Sequence, residues 1–172
     1  KLVDKAIADG MKGIAITDHG NMMGIKEFYN YVSKVNKGKG ENEKFKPIIG
    51  CEVYVAERRL FNKETKEDRG HHLILLAKNK QGYHNLVKIV SKAWSEGYYY
   101  NPRTDKVELE KYHEGLVCCS ACLGGEIPQL IKNGKLEKAE ESVMWFKNLF
   151  GDDYYIELQL HKATVERANH EV

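Results

Sequence analysis

The apolar run Ile14-Ala-Ile-Thr17 leads directly into Asp18-His19-Gly20. Two side chains able to meet a metal ion therefore stand where a short buried strand ends and a turn begins. In α/β architectures that end of a strand is where ligands collect, because the sheet holds the loops in place while the loops are free to vary. Three more residues of this kind stand at or near strand boundaries: Glu52 within Pro47-Ile-Ile-Gly-Cys-Glu-Val-Tyr-Val55, His72 at the start of the run 71–78, and Cys122 just past the apolar 116–120. Imidazole, carboxylate and thiolate together suit Zn2+, while imidazole and carboxylate alone also accept Mn2+ or Fe2+. Widely spaced ligands make a site only once the fold has formed. Plainer readings stand beside this one: His19 capping a turn, and one of the adjacent His71 and His72 in solvent. Glu52 is harder to set aside. A carboxylate inside a strand must face water or be paired, since burying it bare costs several kcal/mol.

The elements that must position these residues follow from period and punctuation. A helix already under way at residue 1 precedes a strand over 13–17, and Ile25, Phe28, Val32 and Val35 give a helix over about 24–36. After the Gly- and Lys-rich 37–43 loop come strands over 47–55 and 71–78, separated by a charged surface excursion. An antiparallel hairpin centred near Asn62 would set Glu52 opposite His72. Helical spacing from Tyr83 to Glu96 leads to a turn over 97–103. A short helix over 106–113, a strand over 116–120, a helix from about Glu126 and a long amphipathic helix over 136–150 follow. The last strand is expected over 154–160, ending at His161. Alternation of strands and helices predicts a mostly parallel sheet with crossover helices, open or closed into a barrel.

The totals allow one domain. A chain of 172 residues, 42% hydrophobic and 30% charged, can bury roughly 70% of its unfolded surface. Its 27 basic and 25 acidic side chains, net +2, provide no broad basic face, so contact with nucleic acid must be local or borrowed. Four cysteines without framework spacing fit a reducing cytoplasm, and no apolar run approaches the roughly 18 residues of a membrane helix. No signal peptide, Walker loop, dinucleotide fingerprint or G-x-S-x-G elbow is present.

Three other features have a bland reading that outweighs the functional one. Cys119-Ser-Ala-Cys122 is a C-x-x-C without a second pair to complete a zinc ribbon. Gly124-Gly125 before a helix can offer N–H groups to a phosphate, though a turn suffices. Trp94, Tyr98, Tyr99 and Tyr100 beside Arg103 can stack on bases, with packing the preferred role.

Taken together, Ile16-Thr-Asp-His-Gly-Asn21, Lys46-Pro-Ile-Ile-Gly-Cys-Glu-Val-Tyr-Val55, His71-His-Leu-Ile-Leu-Leu-Ala77 and Ser120-Ala-Cys-Leu-Gly-Gly-Glu-Ile127 closely resemble the amino-terminal PHP (polymerase and histidinol phosphatase) domain of bacterial DNA polymerase III alpha subunits. Lys80–Val90 and Glu96–Arg103 resemble the same family, and the likeness covers essentially the whole chain. The resemblance implies a distorted (β/α)7 TIM-like barrel with a multinuclear metal centre at one mouth, residues 1–172 forming a single PHP domain fragment. By motif, His19, Glu52, His72 and Cys122 match the family's metal ligands, Asp18 resembles a residue supporting His19, and His161 lies near the mouth. The family's opening His-x-His strand would precede Lys1 and its late Asp-x-His motif would follow Val172, so truncation at both ends is expected.

The resemblance further implies a parent DNA-directed DNA polymerase using Mg2+ in a palm domain elsewhere, working on primer-template DNA and deoxynucleotides in the cytoplasm. A proofreading exonuclease and a sliding clamp are its implied partners, with no membrane. The domain itself would bind Zn2+ or Mn2+, as a 3′–5′ exonuclease or phosphoesterase or as a structural platform. The competing expectation is a free-standing phosphatase of the histidinol phosphatase type. No general base is assigned.

Overall fold

A computed structural model describes residues 1–63 and 68–159. The chain opens with α1 (Leu2–Ala8), β1 (Gly13–Ile16), α2 (Ile25–Val35) and the ten-residue β2 (Lys46–Val55), followed by β3 (His71–Ala77) and α3 (Lys80–Ser95). A tight pair, β4 (Tyr98–Tyr99) and β5 (Asn101–Thr104), replaces the expected turn. Then come α4 (Lys106–Tyr112), β6 (Leu116–Cys119), α5 (Glu126–Lys132), α6 (Leu136–Phe150) and the short β7 (Tyr154–Tyr155). The expected last strand thus ends at Tyr155, and His161 lies outside the described residues.

The seven strands run β4-β5-β2-β3-β6-β7, with β1 also paired to β2. Three pairs are parallel, namely β1 with β2, β2 with β5 and β6 with β7. Three are antiparallel, namely β2 with β3, β3 with β6 and β4 with β5. The expectation of a mostly parallel sheet is corrected by β3. No crossover helix precedes it among the described residues and it runs antiparallel to β2, while β6, antiparallel to β3 in turn, runs the same way as β2. Among the described residues the sheet is open.

Alternation along the strands separates two faces. Cys51, Val53 and Val55 of β2 and Leu73 and Leu75 of β3 point to one side, where they pack with Leu86, Ile89, Leu109, Leu116, Ile127 and Phe146. Leu75, Leu86, Ile89 and Leu109 have no exposed surface, and each such side chain contributes roughly 1.5–3 kcal/mol of hydrophobic stabilisation. A smaller cluster, Val3, Ala6, Phe28, Val32 and Phe45, clamps α1 and α2 to the β1 side. Glu52, Tyr54, His72 and Ile74 occupy the opposite face. Local chemistry sets the ends of two helices: Asn79 Oδ1 accepts from Gly82 N–H at 2.9 Å, and Asp105 Oδ1 from Glu108 N–H at 2.9 Å.

The 56–70 loop is more than a solvated excursion. Leu60 is buried, and Arg103, itself without exposed surface, reaches into the loop. Its Nη2 donates to the carbonyls of Leu60 and Asn62 at 3.0 and 2.8 Å, its Nη1 to that of Asp68 at 2.9 Å, and its Nε to that of Gly97 at 3.3 Å. The Asp68 carboxylate lies 3.1 Å from Nη1. Five oxygens therefore meet the five donors of one guanidinium.

Candidate metal centre

Two irregular segments bring the site residues to one end of the sheet. Past β1 the chain keeps its offset against β2, so His19 bridges to Glu52 as Ile16 pairs with Ile49. Asp18 C=O accepts from Glu52 N–H at 3.1 Å, and Gly20 N–H donates to Glu52 C=O at 2.8 Å. Gly20, at φ 67°, passes between Pro102 and Tyr54, where an added Cβ would meet Pro102 Cγ at 2.7 Å. Past β6, Ala121 turns the chain at φ 64° and His72 N–H donates to Gly124 C=O at 3.0 Å. A Cβ on Gly124 would lie 2.9 Å from His72 Nδ1, so glycine is what lets this loop close over the imidazole.

The expected hairpin register differs by two residues. Tyr54 faces His72 and Glu52 faces Ile74, because the pairs close around residue 63 rather than Asn62. A shift of two keeps every side chain on its face, so Glu52 and His72 remain diagonal neighbours. His72 Nδ1 is 3.1 Å from Glu52 Oε1, and the other carboxylate oxygen pairs with His19 Nδ1. Cys122 Sγ lies 3.4 Å from His72 Nδ1 and accepts from Gly124 N–H at 3.4 Å. Glu52 is buried, at 6% exposure, and the two imidazoles give that buried carboxylate its partners.

The donor set fits a divalent cation. Ligand atoms of Glu52, His72 and Cys122 all lie within 4.8 Å of one another, and oxygen, nitrogen and sulfur together favour Zn2+ over Mg2+ or Ca2+. His19 joins through Glu52 from the exposed side. The Asp18 carboxylate accepts from Gly24 N–H at 3.2 Å, so it fixes the turn before α2. It reaches the site through its backbone rather than through the ring of His19.

Sequence reasoning passed over Tyr54 as a neighbour of the cluster and read Trp94 only as a packing or base-stacking aromatic. The Tyr54 ring packs edge-on against His72, centroids 5.2 Å apart, and burial followed by the Glu52 charge pushes its phenol pKa up. Trp94 donates its indole N–H to Gly20 C=O at 2.8 Å. Tyr54 was detectable, standing two residues from Glu52 on the same strand face; no local signal ties Trp94 to Gly20. Cys51 and Cys118 point into the core, where burial first, then Asp18 and Glu52, pushes the Cys51 thiol up to about 12. Burial likewise raises Cys118 well above its ordinary value, leaving both protonated at neutral pH.

The described residues form a mixed α/β sheet with, at one end, a Glu/His/Cys cluster able to hold a metal ion. Residues 1–161 match the PHP domain, and the chain belongs to that family. It is 48% identical over 163 residues to a DNA polymerase III subunit alpha of Borreliella burgdorferi, covering 93% of this chain and 13% of the relative. It is 44% identical over 170 residues to that of Treponema pallidum (97% and 14%) and 42% identical over 169 residues to that of Chlamydia muridarum (97% and 13%). The chain thus spans about an eighth of the length of these curated relatives. No helix among the described residues is long and apolar enough to cross a membrane.

Proposed function

We propose that this chain is the PHP module of a bacterial replicative DNA polymerase alpha subunit and that His19, Glu52, His72 and Cys122 hold divalent cations there, Zn2+ or Mn2+. The observation carrying the reading is the convergence of three donors from β2, β3 and the loop after β6 within 4.8 Å around a buried carboxylate. The relatives above, all named as polymerase alpha subunits, support it over a free-standing phosphatase. The finer fold reading is a distorted (β/α)7 barrel with residues 1–172 as one domain, and this open sheet forms part of its wall.

For phosphodiester hydrolysis, bound cations would supply positive charge against the phosphate oxygens and a more acidic water. The protein's own part is to hold the ligands still. Glu52 spans both imidazoles, Gly124 N–H orients Cys122 Sγ, and the edge of Tyr54 keeps His72 in its rotamer. The parent chain would extend primers on template DNA with Mg2+ and deoxynucleotides in the cytoplasm, alongside a proofreading exonuclease and a sliding clamp. The test is to load the full-length gene product with Mn2+ or Zn2+ and offer a single-stranded 3′ end. Cleavage abolished by His72→Ala and Glu52→Gln supports a 3′–5′ exonuclease. Bound metal without cleavage by the native protein leaves the platform role, and absence of bound metal overturns the centre.

A further inference from the structure

Beside the cluster stands an aromatic shelf to which the proposed chemistry gives no task. The bond from Trp94 Nε1–H to Gly20 C=O pins the edge of the indole to the loop one residue beyond His19. The ring stacks on Tyr98 with centroids 5.5 Å apart and planes 24° from parallel. Trp94 is 46% exposed, Tyr98 48% and Tyr100 50%. Tyr100 caps the β4–β5 turn at φ 60°, with the exposed Arg69 guanidinium 5.2 Å over its ring. Asn101 Nδ2 donates to Arg69 C=O at 3.1 Å and holds the backbone from which that side chain extends. Glu96, the nearest acidic residue in sequence, lies 3.8 Å from Lys92, whose ammonium bonds more closely to Glu108 at 2.8 Å. Tyr99 is different, since it packs on the buried Arg103 and belongs to the scaffold.

Trp94 and Tyr98, stacked and each about half exposed, form a patch that calls for a ligand, while Tyr100 packs edge-on against Tyr99, centroids 4.8 Å apart, at the turn that follows. A stacked indole–phenol pair suits another flat ring, a guanidinium nearby suits an anion, and stacking alone chooses no particular base. We infer that the Trp94–Tyr98 shelf stacks the unpaired bases of a single nucleic-acid strand whose phosphodiester is presented to the Glu52–His72–Cys122 cluster, with Arg69, over Tyr100 at the adjoining β4–β5 turn, available to the backbone. This deepens the metal-centre reading and rests on it. Gly20 links the two places physically, because its N–H bonds to Glu52 C=O while its C=O accepts from Trp94.

The experiment uses the full-length gene product and a single-stranded oligothymidylate carrying one 5-iodouracil, irradiated and mapped by peptide mass spectrometry, with metal content measured on the same sample. Crosslinks are expected on the peptide containing residues 94–100, reduced at least about fivefold by Tyr98→Leu. Crosslinks confined to other peptides in a metal-loaded sample would overturn the shelf and leave the metal centre standing. So would finding these rings covered by another part of the polypeptide, read as absence of reaction with a tyrosine- and tryptophan-modifying reagent. Crosslinking at the shelf in a metal-free sample would support base stacking and count against the centre instead.

Discussion

Glu52 is the residue on which the candidate site turns, because a buried carboxylate with an imidazole on each oxygen has no plain structural duty in a strand whose neighbours are apolar. Glu52→Gln keeps the shape and removes the charge, so affinity for Zn2+ should fall by at least about 10–100-fold, the range already seen for residues that only support ligands. A competing chromophoric chelator measures it, and unchanged affinity would remove Glu52 from the site. Gly124→Ala pushes a methyl into the His72 ring, and overpacking of this kind costs about 1–3 kcal/mol. Denaturant unfolding should register that loss together with weaker metal binding. Thiol chemistry adds a separate check. Cys51 and Cys118, buried and with raised pKa values, should resist alkylation in the native protein, whereas Cys122 should react and be protected by Zn2+. Labelling of Cys122 that ignores Zn2+ would speak against its coordinating role.

At the scale of elements, the 56–70 loop and the β4–β5 pair are locked together by Arg103. Removing one partner of a buried ion pair costs about 3–5 kcal/mol, so Arg103→Ala should lose about that much in denaturant unfolding. Arg103→Lys should restore only part, since an ammonium cannot fork to five oxygens. The neighbouring carboxylates add a dependence on pH. Burial alone would raise Asp105, but the Arg59 hydrogen bond with the N–H groups of Leu60 and Glu108 outweighs it, and the pKa is lowered. Burial of Glu108 is likewise outweighed by Lys92 and Lys111. Folded values below the unfolded ones mean that this stabilisation is complete above about pH 4, the unfolded range, and is lost as pH falls through the folded values. Asp105→Asn should flatten that acid limb, and an unchanged slope would contradict the assignment. Helices and strands were largely legible because periods of 3.6 and 2 are local signals. The reversal of β3 and the Arg103 knot were not, because a charged loop carries no sign of which distant donor will gather it.

For the whole molecule, the open sheet is what unites the site, since β1 with its following loop, β2, β3 and the loop after β6 each deliver one residue. The four candidate residues were legible as types near strand ends, and the face shared by Glu52 and His72 survived the error in register because strand geometry repeats every two residues. The roles of Trp94 and Gly124 were hidden, since each depends on backbone approaches that only the folded chain creates. Metal binding should therefore be coupled to global folding. At a hundredfold excess over Kd the linkage is about 2.7 kcal/mol, which for a chain of this size raises the Tm by roughly 5–10 °C, and a chelator should remove that gain in a thermal melt. The most direct measurement is X-ray absorption at the Zn edge on the loaded protein. One sulfur at about 2.3 Å among nitrogen and oxygen neighbours at about 2.0–2.2 Å, with the sulfur shell absent in Cys122→Ser, is the predicted result. A shell of oxygen alone, indifferent to Cys122, would contradict it.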